Sequence, residues 1–212
     1  MTVKIDKRTL KAAVEELSKS DKDLAAFYEL HGLPTLRSRT TGYGTLLKII
    51  CGQQVSTAAA RAITGRLDVI ANPMTPEVFL SLKEKDYRAI GLSRQKEVYG
   101  RGIAEAVVSG ELSFRKIAYM DDEDAIAEMT KQKGVGRWTA EVYLLFALRR
   151  PDLWPVDDLG VLKGYMGLKG LTKRPSRAEF VEIGVHYRPW RSVMARMLWY
   201  HANTYRGTGQ TD

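Results

Sequence analysis

The sequence predicts an all-α fold. Apolar residues recur at helical spacing almost throughout, and no stretch alternates apolar and polar residues as a half-buried strand does. Capping residues and glycine or proline stops punctuate the periodic segments. No internal repeat is visible.

Taken in order, Leu10, Val14 and Leu17 mark a first short amphipathic helix, and Leu24, Phe27 and Leu30 a second, stopped by Gly32 ahead of Pro34. The apolar run from Tyr43 to Ile63 predicts one long buried helix. Thr75-Pro76-Glu77 opens a short helix, because proline suits the first helical position, and another opens at Asp86. Gly91-Leu92-Ser93 turns the chain into a helix from Arg94 to Val108. The acidic run Asp121 to Asp124 complements the positive end of a further helix. An amphipathic helix from Arg137 is ended by Pro151, and one from Leu159 to Met166 follows. Ser176 to His186 and Trp190 to Tyr205 complete the set, and residues 206–212 are expected to form a loose tail.

A chain of 212 residues can bury a substantial core, as one domain or as two small lobes. No segment is apolar over the ~18 residues of a membrane span. Met1 to Asp6 lacks the apolar stretch of a secretory signal, so an intracellular protein, in cytoplasm, nucleoid or nucleus, is expected. Cys51 is the only cysteine, which excludes an intrachain disulfide and any iron–sulfur cluster held by four protein cysteines. His31, His186 and His201 form no zinc pattern. The net charge of +8 favours a polyanionic partner. Between residues 163 and 191 seven basic residues (Lys163, Lys169, Lys173, Arg174, Arg177, Arg188 and Arg191) face only Glu179 and Glu182. Taken by itself, that surplus reads as a solvated basic face rather than as a binding surface.

The sharper signal is Lys133-Gly134-Val135-Gly136-Arg137-Trp138-Thr139-Ala140. Two glycines around a small apolar residue give a hairpin whose bare backbone can approach an anion. The unpaired amides of a helix starting at Arg137 would converge on the same spot and make a phosphate site, with Lys131, Lys133 and Arg137 adding positive charge. Beyond the next apolar helix lies Pro155-Val156-Asp157-Asp158, an acidic pair at the start of a helix. From spacing alone, capping and chemistry explain it equally well.

Together these segments resemble the helix-hairpin-helix DNA glycosylase superfamily, in its 3-methyladenine DNA glycosylase II branch. The resemblance rests on Gly134 to Ala140, on Pro155 to Gly160, on Pro-Trp-Arg-Ser at 189–192 with Trp199-Tyr200, and on Gly-Gln-Gln-Val-Ser at 52–56. It implies a two-lobed helical fold with a DNA-binding cleft between the lobes, one lobe spanning 35–120 and the other 1–34 with 121–205. Members of the Escherichia type add an N-terminal β-rich domain, for which this chain is expected to have no room.

A glycosylase must extract its target nucleotide, hold the base and stabilise positive charge on the sugar as the N-glycosidic bond breaks. The resemblance assigns the carboxylate for that charge to Asp158, with Asp157 as the cap. It places Trp138, Trp199 and Tyr200 in the base pocket, where an electron-rich ring attracts an alkylated, cationic purine. Trp190 and Trp154 are expected in the core. Lyase-active members carry a lysine where Trp138 stands, so a monofunctional enzyme is implied. Lys133, Gly134, Val135, Gly136 and Arg137 would grip DNA, and Gln54 occupies the position of the side chain that fills the vacated stack, with Gln53 in a structural role. Val142 stands where the Escherichia-type pocket has an aromatic ring, with Tyr143 beside it. No cofactor is required, although backbone carbonyls of Thr130, Gln132 and Val135 match those that hold a monovalent sodium or potassium ion. Double-stranded DNA with damaged bases is the implied partner of a monomer that does not engage membranes. The competing readings are a glycosylase for other damaged or mismatched bases and a non-catalytic helix-hairpin-helix DNA-binding protein.

Overall fold

The computed structural model describes residues 4–36 and 39–205, and among these every regular element is a helix. The order is α1 (Lys7–Ser20), α2 (Lys22–His31), α3 (Tyr43–Cys51), α4 (Thr57–Ile70), α5 (Pro76–Ser81), α6 (Glu84–Ile90), α7 (Arg94–Val108), α8 (Phe114–Ile117), α9 (Asp122–Thr130), α10 (Arg137–Phe146), α11 (Leu159–Leu168), α12 (Arg177–Val185) and α13 (Arg191–Tyr205). No described helix is long and apolar enough to cross a membrane. The segment 206–212 lies outside the described residues.

The chain forms two compact units, Met1–Ser38 with Leu144–Asp212, and Arg39–Tyr143, the division falling within α10. The expected partition differs in the stretch 121–143, which joins the central unit. There α8 packs on α9, Phe114 lies against Tyr143 with ring centroids 5.3 Å apart, and Gln132 Nε2 donates to Glu111.

In the unit containing both termini, α11 packs closely on α13, and α1 packs on α2 and α13. Gly160, Gly164 and Gly167 make the α11–α13 approach possible. A Cβ on Gly164 would drive into the Leu198 carbonyl, and one on Gly167 would come within 2.8 Å of the His201 ring. Trp154 is buried and donates its indole N–H to Phe180 O at 2.8 Å, while half-buried Trp190 donates to Glu16. Asp21 ties three elements together: its side chain caps α2 through Leu24 N–H and accepts from Lys169 Nζ at 2.6 Å and from the Tyr187 hydroxyl at 3.0 Å.

In the central unit α7 is the shared support, with α3 and α5 against it and α4 packed on α6. Tyr43, Phe79 and Tyr87 stack edge to face in its core. The long helix expected from Tyr43 to Ile63 is instead two. Helix α3 stops at Cys51, Gln54 takes a left-handed φ of 55°, and Ser56 caps α4 through Ala59 N–H. A non-glycine residue at positive φ cannot propagate a right-handed helix, whatever the hydropathy on either side. Cys51 is fully buried, and burial pushes its thiol up to about 11.

Several ends follow the local capping signals: Thr75, Ser93, Asp121 and Ser176 all cap as their sequence positions imply. Others do not. Helix α10 ends at Phe146 rather than Arg150, because Arg149 turns left-handed at φ 57° and Arg150 N–H returns to Leu144 O at 3.2 Å. Leu30 is exposed rather than part of the apolar stripe of α2, and α8 carries no periodic signal at four residues.

Burial raises the Asp21 carboxyl, but the bonds from Lys169, Leu24 and Tyr187 outweigh it and hold the group below its ordinary value of 3.8. A depressed carboxyl contributes stability above that value and loses it as pH falls through the lower folded-state value. Asp21→Ala, which leaves Lys169 and Tyr187 without this partner, should cost about 2–4 kcal/mol at pH 7 in urea unfolding. The gap to wild type should close as the pH is taken below 3.8.

Candidate active site and nucleic-acid interface

The hairpin between α9 and α10 is built as its glycines suggest, with one difference. Val135 N–H closes a turn on Gln132 O at 3.0 Å, and Gly134 sits in the third position at φ 89°, as a type II turn requires. A Cβ there would collide with the Tyr99 ring, so Gly134 is needed both for its conformation and for its lack of side chain. Gly136 needs neither: it is exposed, and a Cβ on it would meet open space. Gly136 O accepts the first bond of α10 from Ala140 N–H, so the hairpin leads directly into a helix N-terminus. Val135 is buried and anchors the turn, while Lys133 is exposed.

Arg137 is not a spare cation at this grip. Its guanidinium binds Glu123 through both terminal nitrogens, at 2.8 and 2.6 Å, and its Nε donates to buried Glu141 at 3.0 Å. It fastens α10 to the first turn of α9, and its charge is compensated in place. Lys131 likewise pairs with Glu128. The hairpin therefore offers backbone amides and Lys133 rather than a cluster of cations. Of the three carbonyls that match a cation site, Gln132 O is the acceptor that closes the turn.

A depression of about 700 Å³ in the central unit brings the hairpin, Trp138 and the Gln53-Gln54 turn onto one surface. Gln53 is half-buried and structural, as expected: its amide donates to Gly134 O at 3.1 Å and to Thr139 Oγ1 at 2.9 Å. Gln54, next to it, is exposed. Trp138 lies half-buried in the first turn of α10, whereas Val142 and Tyr143 are buried, Gly42 N–H donating to the Tyr143 hydroxyl.

In the other unit the capping role falls to Asp158 rather than to Asp157 as expected. Asp158 is the N-cap of α11, accepting from Val161 N–H at 2.8 Å, while exposed Asp157 pairs with Arg177. The same Asp158 oxygen, Oδ1, accepts the Trp199 indole N–H at 2.8 Å. The half-buried carboxylate is thus fixed from two directions, and Gly160 lets Trp199 approach, since a Cβ there would lie 2.9 Å from the indole. Trp199 stacks on Phe146 at 5.2 Å, and buried Arg196 lies over the same ring at 4.7 Å while donating to Leu145 O. Burial lowers the Arg196 guanidinium to about 10, with repulsion from Arg149 adding to the shift. Tyr200, one residue on and so about 100° around the helix, faces elsewhere. Its hydroxyl donates to His31 O and its ring meets Phe27 edge-on.

The superfamily described as HhH-GPD, of base excision DNA repair proteins, matches residues 47–184, a range that holds the turn, the hairpin and Asp158. The chain belongs to this superfamily. It is 35% identical over 161 residues to DNA-3-methyladenine glycosylase 1 of Schizosaccharomyces pombe, covering 74% of this chain and 71% of that one. It is 30% identical over 206 residues to the DNA-3-methyladenine glycosylase of Bacillus subtilis, covering 84% and 67%. The solved structure of the S. pombe 3-methyladenine DNA glycosylase in complex with abasic DNA matches with a TM-score of 0.84 at 31% identity, over 95% of this chain and 100% of that one.

Within this HhH-GPD chain, local charge counting overstates the basic surface. Of the seven basic residues from 163 to 191, Lys169 binds Asp21 and Asp23, Arg177 binds Asp157, and Arg191 binds Asp152, with Arg188 3.6 Å from the same aspartate. Phe146, against Trp199, and Lys96, bonded to Gln53 O, contact candidate site residues, which motif spacing does not reveal. The one signal for Phe146 is its position on the apolar face of α10; Lys96 reaches only backbone carbonyls, which carry no sequence signature.

The two hairpin glycines should separate in a substitution test. Gly134→Ala should lower the melting temperature, since the strained φ and the Tyr99 clash together cost about 1–3 kcal/mol. Gly136→Ala should melt like wild type yet bind every duplex more weakly, because its Cβ occupies only the space through which a phosphate approaches. Calorimetry and a binding titration on two unrelated sequences provide the check.

Proposed function

We propose that this chain is a monofunctional DNA glycosylase that removes alkylated purines of the 3-methyladenine and 7-methylguanine type from double-stranded DNA in base-excision repair. The observation that carries the reading is the Asp158 carboxylate, fixed on one oxygen by a helix N-terminus and an indole N–H. Membership of the HhH-GPD superfamily and likeness to 3-methyladenine glycosylases support it.

The chemistry asked of the protein is modest, because an alkylated purine is a cation and leaves readily. As the bond to the sugar breaks, oxocarbenium charge develops, and a carboxylate held in place stabilises it without reorganising. Asp158 has that rigidity, and in this reading it also orients the attacking water. The edge of the Trp199 indole holds the carboxylate, and in this reading its ring lines the base pocket. The hairpin amides of Gly134 and Gly136 take the phosphate backbone without reading sequence, and Gln54 fills the gap left by the extruded nucleotide. Trp138 has no amine, so water rather than the protein attacks the sugar and an abasic site remains. The Thr130, Gln132 and Val135 carbonyls are neutral oxygen donors of the kind a monovalent cation accepts, and a cation there would add positive charge beneath the phosphate.

Base release from methylated duplex, with unmodified duplex as control, tests the reading directly. Asp158→Asn should reduce single-turnover release by roughly 10²-fold or more while DNA affinity is kept; comparable rates would refute the assignment. Borohydride added during turnover should trap no protein–DNA adduct, and an adduct surviving denaturation would overturn the monofunctional reading.

A further inference from the structure

The turn that presents Gln54 has little of its own to hold it. Residues Gln54, Val55 and Ser56 are exposed, and Gln54 keeps a left-handed backbone that side-chain-bearing residues seldom adopt. What braces the turn comes from α7. Lys96 Nζ donates to Cys51 O and to Gln53 O, both at 2.8 Å, so one ammonium satisfies two carbonyls at the end of α3 and just before Gln54. A cation at a helix C-terminus is favoured electrostatically as well. Lys96 is itself placed by the α7 cap, its N–H bonded to Ser93 Oγ. One turn later on the same helix, Tyr99 lies against Gly134 of the hairpin. Gln53 closes the loop by donating to Gly134 O and Thr139 Oγ1.

From this arrangement we infer that Lys96 is a positioning residue that locks the Gln54 turn to the hairpin, so that phosphate grip and stack filling are presented by one rigid edge backed by α7. This rests on the glycosylase reading above. Lys96 acts through Gln54 and not on DNA: two of its three donors are spent on carbonyls, and it is half-buried.

The test uses single-turnover release of 7-methylguanine from a duplex in which the lesion is paired and from one in which it is mismatched. It compares wild type, Lys96→Met, Gln54→Ala and the double variant, and follows undamaged-duplex affinity against salt. Lys96→Met should slow release from the paired lesion by about 3- to 10-fold, with little further loss when added to Gln54→Ala, as expected for two residues acting through one feature. The defect should shrink on the mismatched lesion, where extrusion is easier, and the salt slope should stay at the wild-type value. Unchanged release, an equal loss on both substrates, additivity with Gln54→Ala, or a salt slope lower by about one would each overturn the role, the last by making Lys96 a phosphate contact. If Lys96→Met does not fold, Lys96→Gln, which retains amide donors without the charge, takes its place under the same criteria. Wild-type release separates the two ideas: none from wild type sinks the glycosylase reading, whereas wild-type release matched by the Lys96 variant sinks the positioning role alone.

Discussion

Gly160, Gly164 and Gly167 form a row along one side of α11, and α13 lies against that row closely enough that side chains there would strike Trp199, Leu198 and His201 in turn. A glycine inside a helix costs about 1 kcal/mol relative to alanine, so three in one ten-residue helix are a poor choice for helix stability alone. Their return is proximity. With the two backbones this close, the Trp199 indole reaches the carboxylate at the start of α11, and the stack on Phe146 fixes the indole in turn. The contacts that fix the proposed reactive group thus depend on atoms that are missing from α11.

The hairpin follows a different economy. Its turn is rigid, closed by its own hydrogen bond and backed by Tyr99, while the cations around it are largely spoken for by Glu123, Glu141 and Glu128. What it offers outward is a set of backbone dipoles and the exposed Lys133. Such a surface would hold a phosphate without a large electrostatic field, which suits a protein that must test many nucleotides and leave most of them.

Much of the fold is legible in the sequence because capping is local. Ser93 and Val108 bound α7 as the pattern implies, and Thr75, Asp121 and Ser176 bond to amides three residues on. What is not legible depends on backbone handedness or on partners far along the chain. The break within residues 43–63 is marked in the sequence only by the polar stretch Gly52 to Thr57 with its capping Ser56, while the left-handed backbone at Gln54 has no signature of its own. Arg137 looks like a phosphate ligand until Glu123, fourteen residues earlier, is brought beside it by the helical hairpin. Asp157 and Asp158 look alike as caps, and only the position of Trp199, some forty residues on, and of Arg177 tells them apart. The family motif nominates the candidate site, and the pairing of its charges is visible only in the structure.

The burial of Cys51 bears on the chemical conditions under which alkylation repair is required. Thiolates are among the softest nucleophiles in a cell, and reagents that methylate purines also methylate them. The single thiol of this chain is enclosed in α3 and stays protonated far above neutral pH, so it offers such reagents neither access nor a reactive anion. The carbonyl of the same residue helps to seat Lys96. The thiol beside the Gln54 turn is therefore shielded from the class of electrophile whose damage the protein is proposed to excise.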